Sequence, residues 1–282
     1  MQFYAFNEKK LPIHAKDAQK NFNYTCIECQ TRVRVRGGCH RQLHFYHLVA
    51  ERSCHLHKKG MIHLHLQEYL ACLLPKNDCR LEYRFAEINR IADVAWLSKK
   101  IIFEIQCSPI SNQEIYQRNQ DYQSLGWQVV WILHDQRYNQ KILHPAEYAL
   151  SHHPHYFSNM NTLGEGIIYD QFESIEKGRR LFKAGKFPVN VLKIMPFTPS
   201  FSKKANLKQC QKRLKSWPLR CEGDLFDHIE TTYYQQAVDF EKAYLFSKYK
   251  NSLRSLAHNL VNSCILHPYQ VLFRYILEKA CR

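Results

Sequence analysis

Two acidic side chains on a predicted β-hairpin have the types and spacing that a metal site requires. Residues 91–106 form two apolar segments separated by a short polar turn, which predicts a hairpin. A turn with an even number of residues places Asp93 directly opposite Glu104. The Cβ atoms of such opposed residues are about 4.5–5.5 Å apart, and two like charges at this distance destabilise the hairpin. Gln106 shares the face of Glu104, because side chains alternate along a strand. A divalent cation that prefers carboxylate oxygens would compensate both charges, although acids are also ordinary on the solvent face of a sheet.

A second set of candidate ligands precedes the hairpin in the chain. Cys26 and Cys29 form a Cys-x2-Cys pair that can give two thiolates to one zinc ion. His44 and His47 follow after a gap within the range of known zinc sites. Both cysteines and His47 are the preferred ligands, and the fourth is either His44 or Cys54. The module is too small to bury much apolar surface, so zinc would supply folding free energy. Unliganded cysteines are the simpler alternative.

The elements that must position the acidic pair have the pattern of an α/β unit. The predicted order is a helix (61–74), a strand (79–86), the hairpin (91–106), a helix (111–125) and a strand (128–134). Ser111 and Glu114 have the spacing of a capping box at the start of the second helix. A strand–helix–strand crossover is right-handed and makes the sheet partly parallel. Glu68, on the first helix, is a further candidate ligand for a metal on the sheet, although helix acids are commonly just solvated.

The charge of the chain favours a polyanionic partner. Its 282 residues include 40 Lys and Arg against 25 Asp and Glu, which gives a net charge of +15. Nucleic acid and an anionic membrane surface are the candidates. The N-terminal residues lack the apolar core of a signal peptide, and no run approaches the ~20 apolar residues of a membrane span. With 11 cysteines in addition, the sequence predicts a cytoplasmic protein with reduced thiols.

Composition and periodicity predict three regions: a zinc-binding module (1–60), an α/β core (61–135) and a basic, mainly helical C-terminal domain (136–282). Residues 135–160 have the composition of a polar connector. Residues 201–215 are rich in lysine, and apolar side chains recur at helical spacing over residues 224–260. The basic edge of this domain is a candidate for contacts with phosphates. A solvated lysine-rich face is an equal alternative.

Several short motifs, in the same order and spacing, resemble the competence protein CoiA family. They are Cys26-x2-Cys29 with His44-Phe-Tyr-His47, Arg90-Ile-Ala-Asp93-Val, Phe103-Glu-Ile-Gln-Cys-Ser108, Arg118-x3-Tyr122 and Gly126-x4-Trp131. The resemblance covers residues 20–135. The C-terminal half is similar only in being basic and helical.

The resemblance implies a PD-(D/E)XK nuclease with an N-terminal zinc module that handles incoming DNA during natural transformation. The fold it implies is α/β and restriction-endonuclease-like, with an αβββαβ core. Asp93 and Glu104 would hold catalytic Mg²⁺ or Mn²⁺, and zinc would be structural. Gln106 would orient the attacking water, and Arg118 would neutralise charge on the phosphate. Glu68 or else Glu82 would complete the metal shell.

Two positions depart from the wider nuclease superfamily. Gln106 stands where that superfamily has lysine, and Gln67 on the first helix stands where relatives often have lysine. Neither amide supplies positive charge.

The implied partner is single-stranded DNA, with recombination proteins as further partners. A catalytically inactive DNA-binding scaffold, or a protein that recruits recombination factors through its C-terminal helices, is therefore the alternative to a nuclease.

Overall fold

The computed structural model describes residues 1–38, 41–49, 54, 56–198, 205–261, 263, 266–271 and 273. The lysine-rich residues 201–204 lie outside this range. The N-terminal region is an antiparallel sheet of β1 (Tyr4–Phe6), β2 (Pro12–His14), β3 (Tyr24–Cys26), β4 (Arg32–Gly38) and β5 (Arg41–His47), in the spatial order β2-β1-β3-β4-β5. Its small core has Val33, Val35 and Phe45 at the centre. The alternation of arginine and valine in β4 explains its burial pattern, because the valines face inwards.

The next elements follow the predicted order. They are α1 (Met61–Leu73), β6 (Cys79–Phe85), β7 (Arg90–Trp96), β8 (Ile101–Gln106), α2 (Asn112–Ser124) and β9 (Gln128–His134). The hydroxyl of Ser111 accepts a hydrogen bond from the backbone N–H of Glu114, as the capping box predicts. Strands β8 and β9 are parallel, and α2 connects them. The α/β class is therefore confirmed.

The central sheet extends beyond residue 135, which the sequence did not predict. After α3 (Pro145–Leu150), the strands β10 (His155–Ser158), β11 (Ile168–Asp170) and β14 (Phe187–Pro188) complete the spatial order β14-β11-β10-β9-β8-β7-β6. Strand β10 pairs in parallel with β9 and is buried along its whole length. A short strand buried on both faces lacks the alternation of polar and apolar residues that marks a half-buried strand. The sequence of β10 therefore carries no strand signal, and residues 135–160 resemble a polar connector.

Helices cover both faces of this sheet. Leu66 and Leu70 of α1 pack with Val94 and Phe103 on one face. Helices α2 and α3 pack on the other face, against a cluster that includes Trp131. The acidic pair of the hairpin is thus carried by the two strands β7 and β8 in the middle of a layered core.

The C-terminal region contains more strand than the sequence predicted. Strands β12 (Glu173–Glu176) and β13 (Arg179–Lys183) form one hairpin, and β15 (Asn190–Pro196) pairs with β16 (Leu219–Glu222). Helix α4 (Lys208–Ser216) lies between β15 and β16, and α5 (Thr232–Val261) follows. The expectation of a mainly helical domain is correct only from α5 onwards. Both strand pairs carry β-bulges, which break the period-two pattern on which the prediction depended.

Candidate functional site

Four potential ligands of one metal ion meet in the N-terminal module: Cys26, Cys29, His47 and Cys54. One donor atom from each lies within 4.8 Å of the other three. Two thiolates bound to one tetrahedral zinc at about 2.3 Å are about 3.8 Å apart. The Sγ atoms of Cys26 and Cys54 are 3.8 Å apart. The donor set and its spacing therefore fit zinc.

The turn after β3 explains why Cys26 and Cys29 face one centre. The N–H of Cys26 donates to the carbonyl oxygen of Thr31 at 2.8 Å, and the N–H of Gln30 donates to the carbonyl oxygen of Cys26 at 3.2 Å. Gln30 has a φ of 61°, in the left-handed region that reverses the chain sharply. The loop is therefore closed by its own backbone, with both sulfur atoms on the same side.

His44, one of the two candidates for the fourth ligand, lies outside this cluster. Its Nε2 accepts a hydrogen bond from Nε of Arg36 at 3.1 Å, and its Nδ1 lies 2.8 Å from the carbonyl oxygen of Gln42. His44 and His47 both belong to β5, and residues three apart in a strand face opposite sides. Strand geometry therefore separates the His-x2-His pair, and the alternative candidate, Cys54, supplies the fourth donor.

The hairpin of β7 and β8 has the register that the even turn predicts. The strands pair at Trp96–Ile101, Ala95–Ile102 and Val94–Phe103. The next positions in this register are Asp93 and Glu104. Here the ladder ends, and the backbone N–H of Ile105 donates to Oδ2 of Asp93 at 2.8 Å instead. The side chain of Asp93 therefore lies between the strand ends.

Asp93 is only 5 % exposed and has two basic neighbours. Its Oδ1 lies 2.8 Å from Nζ of Lys59 and 3.0 Å from Nε2 of His63. Burial alone would raise the pKa of Asp93, but His63 and Lys59 together hold that pKa well below its usual range. Burial also lowers the pKa of His63. At neutral pH the ring therefore donates as a neutral group, and Lys59 carries the positive charge.

Glu104 is buried more deeply, at 1 % exposed. Nη1 of Arg118 donates to its Oε2 at 2.5 Å, and the hydroxyl of Tyr122 donates to its Oε1 at 2.8 Å. Burial raises the pKa of Glu104 to about 6; the opposing charge of Arg118 limits this rise, and the charge of Asp93 adds to it. Burial and a like charge both make the ionised form costly, and a hard cation relieves that cost.

Arg118 and Gln106 line the same cavity as Asp93. Arg118 contacts Glu104 directly, and its Nε donates to Glu114 at 2.8 Å. Gln106 is 8 % exposed, and its Nε2 donates to the carbonyl oxygen of Ser108 at 2.6 Å. Arg118 is thus engaged by two carboxylates.

The two further acids, Glu68 and Glu82, occupy different surroundings. Glu68 pairs with Lys16 at 3.4 Å, and the structure does not bring it to the acidic pair. Glu82 is buried and accepts hydrogen bonds from two backbone N–H groups of the N-terminal module, each at 3.0 Å. Its other oxygen lies 3.4 Å from Nζ of Lys59. Glu82 therefore ties the N-terminal module to the core.

Sequence reasoning missed Lys59, and it also did not assign His63 or Tyr122 to this site. Its side chain is 9 % exposed, and its ammonium group lies between the carboxylates of Asp93 and Glu82. Burial lowers the pKa of Lys59, but the two carboxylates raise it by more, so the group stays charged. Lys59 lies in the short segment between Cys54 and α1, where no periodic pattern marks a buried position. The only feature of the sequence that pointed to Lys59 is its position five residues after the candidate zinc ligand Cys54.

The family comparison covers this site. Residues 53–173 match the family model described as "Competence protein CoiA, nuclease-like domain". This segment is a CoiA nuclease-like domain. The matched range contains Lys59, Asp93, Glu104 and α2, and it ends at the start of β12. The resemblance observed in the sequence is confirmed by this competence-related, nuclease-like domain, and residues 20–52 lie outside the matched range. No curated protein and no solved structure matches the chain.

A cavity of about 770 Å³ lies between the N-terminal module and the CoiA nuclease-like domain. Ile27 and Glu28 of the module contribute to its lining, and Asp93 lines it from the core side. Its basic lining residues are Lys59, Arg84, Arg90 and Arg118. Its acidic lining residues are Glu28, Asp93, Glu114 and Asp121, and Arg90 and Arg118 are paired with acids. The cavity is therefore mixed in charge, and it offers basic side chains to a phosphate-bearing ligand beside the carboxylate of Asp93. Among the described helices, none has the length and apolar content that crossing a bilayer requires.

Proposed function

We propose that this protein is a metal-dependent deoxyribonuclease of the CoiA type, with a restriction-endonuclease-like core. One observation carries the proposal: Asp93 and Glu104 form a buried pair of carboxylates where the pairing of β7 with β8 ends, and Asp93 lines a cavity that Lys59, Arg84, Arg90 and Arg118 also line. The CoiA nuclease-like match over residues 53–173 supports the same reaction class. Phosphodiester hydrolysis needs a site that binds negative charge and activates water.

Asp93 and Glu104 are the residues that would hold Mg²⁺ or Mn²⁺. Their carboxylate oxygens are the donors that these hard ions prefer, and the raised pKa of Glu104 reflects a charge that a cation would stabilise. A bound ion would polarise a phosphoryl oxygen and lower the pKa of a coordinated water.

Basic side chains of the protein supply the remaining positive charge at the site. Lys59 holds its ammonium 2.8 Å from Asp93 and lines the cavity, so it can contact a phosphate oxygen there. It compensates for the neutral amide of Gln106, whose role in this proposal is to orient a water molecule by hydrogen bonding. Arg118 must release Glu104 or Glu114 to reach a phosphate. Its main contribution is therefore to position Glu104.

Single-stranded DNA is the proposed substrate. The N-terminal module forms one wall of the cavity through Ile27 and Glu28, next to the acidic pair. A flexible single strand enters such a bounded space more readily than a stiff duplex. The family name supports a role in competence. The proposal adds that the substrate is incoming DNA and that recombination proteins are the partners.

The test is a cleavage assay on end-labelled single-stranded and double-stranded DNA. Purified protein is incubated with Mg²⁺, Mn²⁺ or EDTA beside the variant Glu104→Ala. We expect metal-dependent cutting that is faster on single strands and that the variant has lost. Cutting that is equal in both proteins would refute the assignment of the site.

A non-catalytic DNA-binding scaffold is the second candidate function. Each carboxylate already has a basic partner, Lys59 for Asp93 and Arg118 for Glu104. A pair neutralised by the protein's own cations is stable as an internal salt-bridge network without catalysing any reaction. DNA binding without cutting, with equal affinity in wild type and Glu104→Ala, is the result that favours the scaffold.

A further inference from the structure

Helix α5 has two halves with different surroundings. Tyr234, Ala237 and Val238 of the first half are buried in the cluster that also contains Phe172 and Phe226. The second half begins after residue 244, and the side chains described there are exposed. An unsupported helix of this length is only marginally stable in water. Lys248 in this half forms an ion pair with Glu176 at 2.7 Å, but the second half lacks the apolar packing that normally stabilises a helix.

The exposed half is strongly amphipathic. Its large apolar side chains are 45–69 % exposed and are Leu245, Phe246, Tyr249, Leu253 and Leu256. At about 100° of rotation per residue, these five positions fall within an arc of about 100°. Ser247, Lys248, Asn251 and Arg254 occupy the opposite side. The apolar stripe therefore has a single direction and faces no described part of the chain.

The charge of this segment has one sign. From Lys242 to Leu277 the sequence contains no Asp or Glu, while Lys248, Lys250 and Arg254 lie in the exposed half of α5. Lys250 directly adjoins the apolar arc, where its long side chain can reach a surface that the arc contacts. The complementary partner is therefore apolar in its interior and anionic where it meets the lysines.

Three partners with some of these properties can be compared. A second copy of the helix would bring like charges together, and the 3–4 spacing of the stripe extends over too few heptads for a coiled coil. DNA complements the charge, but three of the five exposed apolar side chains are leucines, which do not stack on bases. An anionic lipid surface accepts both the apolar arc and the basic flanks.

The exposed apolar surface also continues past the end of α5. Leu266, Tyr269, Val271 and Phe273 are 48–70 % exposed, and residues 267–271 are helical. A membrane surface accepts apolar side chains from successive segments of a chain.

We infer that the second half of α5 binds the surface of membranes that contain anionic lipids. The apolar arc enters the region between headgroups and acyl chains, and Lys250 beside the arc contacts anionic headgroups. Arg254, on the far side of the helix, adds to the longer-range attraction between the helix and the anionic surface. The nuclease-like domain would then be held close to a membrane without a spanning segment. This inference does not depend on the proposed nuclease activity.

Vesicle sedimentation tests this inference with the full-length protein. The vesicles contain phosphatidylcholine alone or with about 30 mol % phosphatidylglycerol. The variants are the apolar pair Phe246→Ser with Leu253→Ser, the basic pair Lys250→Glu with Arg254→Glu, and the control pair Ser247→Ala with Asn251→Ser on the polar side. All these side chains are exposed, so the fold of the core should persist, and circular dichroism checks it.

We expect the wild type to bind the anionic vesicles at least about tenfold more strongly than neutral ones, and less strongly at high salt. Both the apolar and the basic pair should reduce this binding at least about tenfold, and the control pair should not. Absence of vesicle binding by the wild type would overturn the inference. So would binding that the apolar pair leaves unchanged. A dimer that the apolar pair dissociates, without vesicle binding, would identify a second copy as the partner instead.

Discussion

In the N-terminal module three cysteines and a histidine surround one point, whereas in the core two carboxylates each contact a basic side chain. The sulfur and nitrogen donors of the module have the spacing of a tetrahedral ion. The carboxylates of Asp93 and Glu104 are neutralised by Lys59 and Arg118. The first arrangement fits a metal ion that would hold its ligands together, and in the second each carboxylate already has a basic partner. Zinc should therefore govern folding, and Mg²⁺ or Mn²⁺ should govern only activity.

The two regions are also physically connected. The segment from Cys54 to Lys59 runs from the proposed zinc site to the acidic pair, and Leu56 within it is buried. Glu82 joins backbone N–H groups of the module to the ammonium of Lys59. A structural change in the N-terminal module can thus displace the ammonium group of Lys59 from Asp93.

Loss of a zinc ligand should have the largest effect. Structural zinc contributes about 10–16 kcal/mol of apparent binding free energy in small modules. We expect Cys54→Ser to lose bound zinc and to lose hydrogen-exchange protection across β3, β4 and β5. His44→Gln is the matched control and should retain zinc. Zinc lost from the His44 variant but kept by the Cys54 variant would reverse the choice of the fourth ligand.

Removal of the Lys59 ammonium should have the next largest effect, and it should act on activity. Loss of one preorganised group that stabilises transition-state charge costs about 10²–10³ in rate. We therefore expect Lys59→Gln to slow DNA cleavage by that factor, and Lys59→Arg to retain more activity because it keeps the charge. Lys100→Gln, in the exposed hairpin turn, is the control. Equal cleavage rates for Lys59→Gln and the wild type would show that Lys59 is only structural.

Breaking the connection between the regions should have a moderate effect. In Glu82→Gln one amide group replaces an oxygen that faces Lys59, and an unsatisfied buried partner costs about 1–3 kcal/mol. We expect the free energy of unfolding, measured in urea, to fall by that amount, with a partial loss of cleavage. Glu87→Gln, at an exposed turn position, should change neither. Unchanged stability in Glu82→Gln would mean that the module and the core are energetically independent.

Addition of Mg²⁺ should change stability least. A ligand present at its own Kd stabilises the native state by about 0.4 kcal/mol. We therefore expect thermal melting of the zinc-loaded protein to shift by only about 1–2 °C on addition of Mg²⁺, whereas removal of zinc should lower it strongly. A large stabilisation by Mg²⁺ would contradict the view that the acidic pair is already neutralised.

The sequence predicted the elements that depend on local pattern. The even turn after Leu97 set the register that brings Asp93 to the level of Glu104, and Ser111 marked the start of α2. Both signals lie within a few residues of what they determine. The same holds for the Cys-x2-Cys turn and for the amphipathic pattern of α5.

What the sequence did not reveal depends on contacts between distant segments. Lys59 contacts Asp93 across a long separation in sequence, and no local period predicts such a contact. Strand β10 has no sequence signal because it is buried on both faces. The sequence leaves His44 as a candidate ligand because the spacing alone does not show that His44 and His47 lie in one strand and face opposite sides. Glu68 shares α1 with His63 but faces Lys16, which only the packing of the helix decides.

The most direct test of the central claim is a titration of Mn²⁺ into zinc-loaded protein, followed by calorimetry. The wild type, Asp93→Asn and Glu68→Gln are compared, since Glu68 is the acid that the structure places away from the pair. We expect one Mn²⁺ site beyond the zinc, weakened at least about tenfold in the Asp93 variant and unchanged in the Glu68 variant. Equal Mn²⁺ affinity in the wild type and Asp93→Asn would contradict the account, because the acidic pair would then not be a metal site.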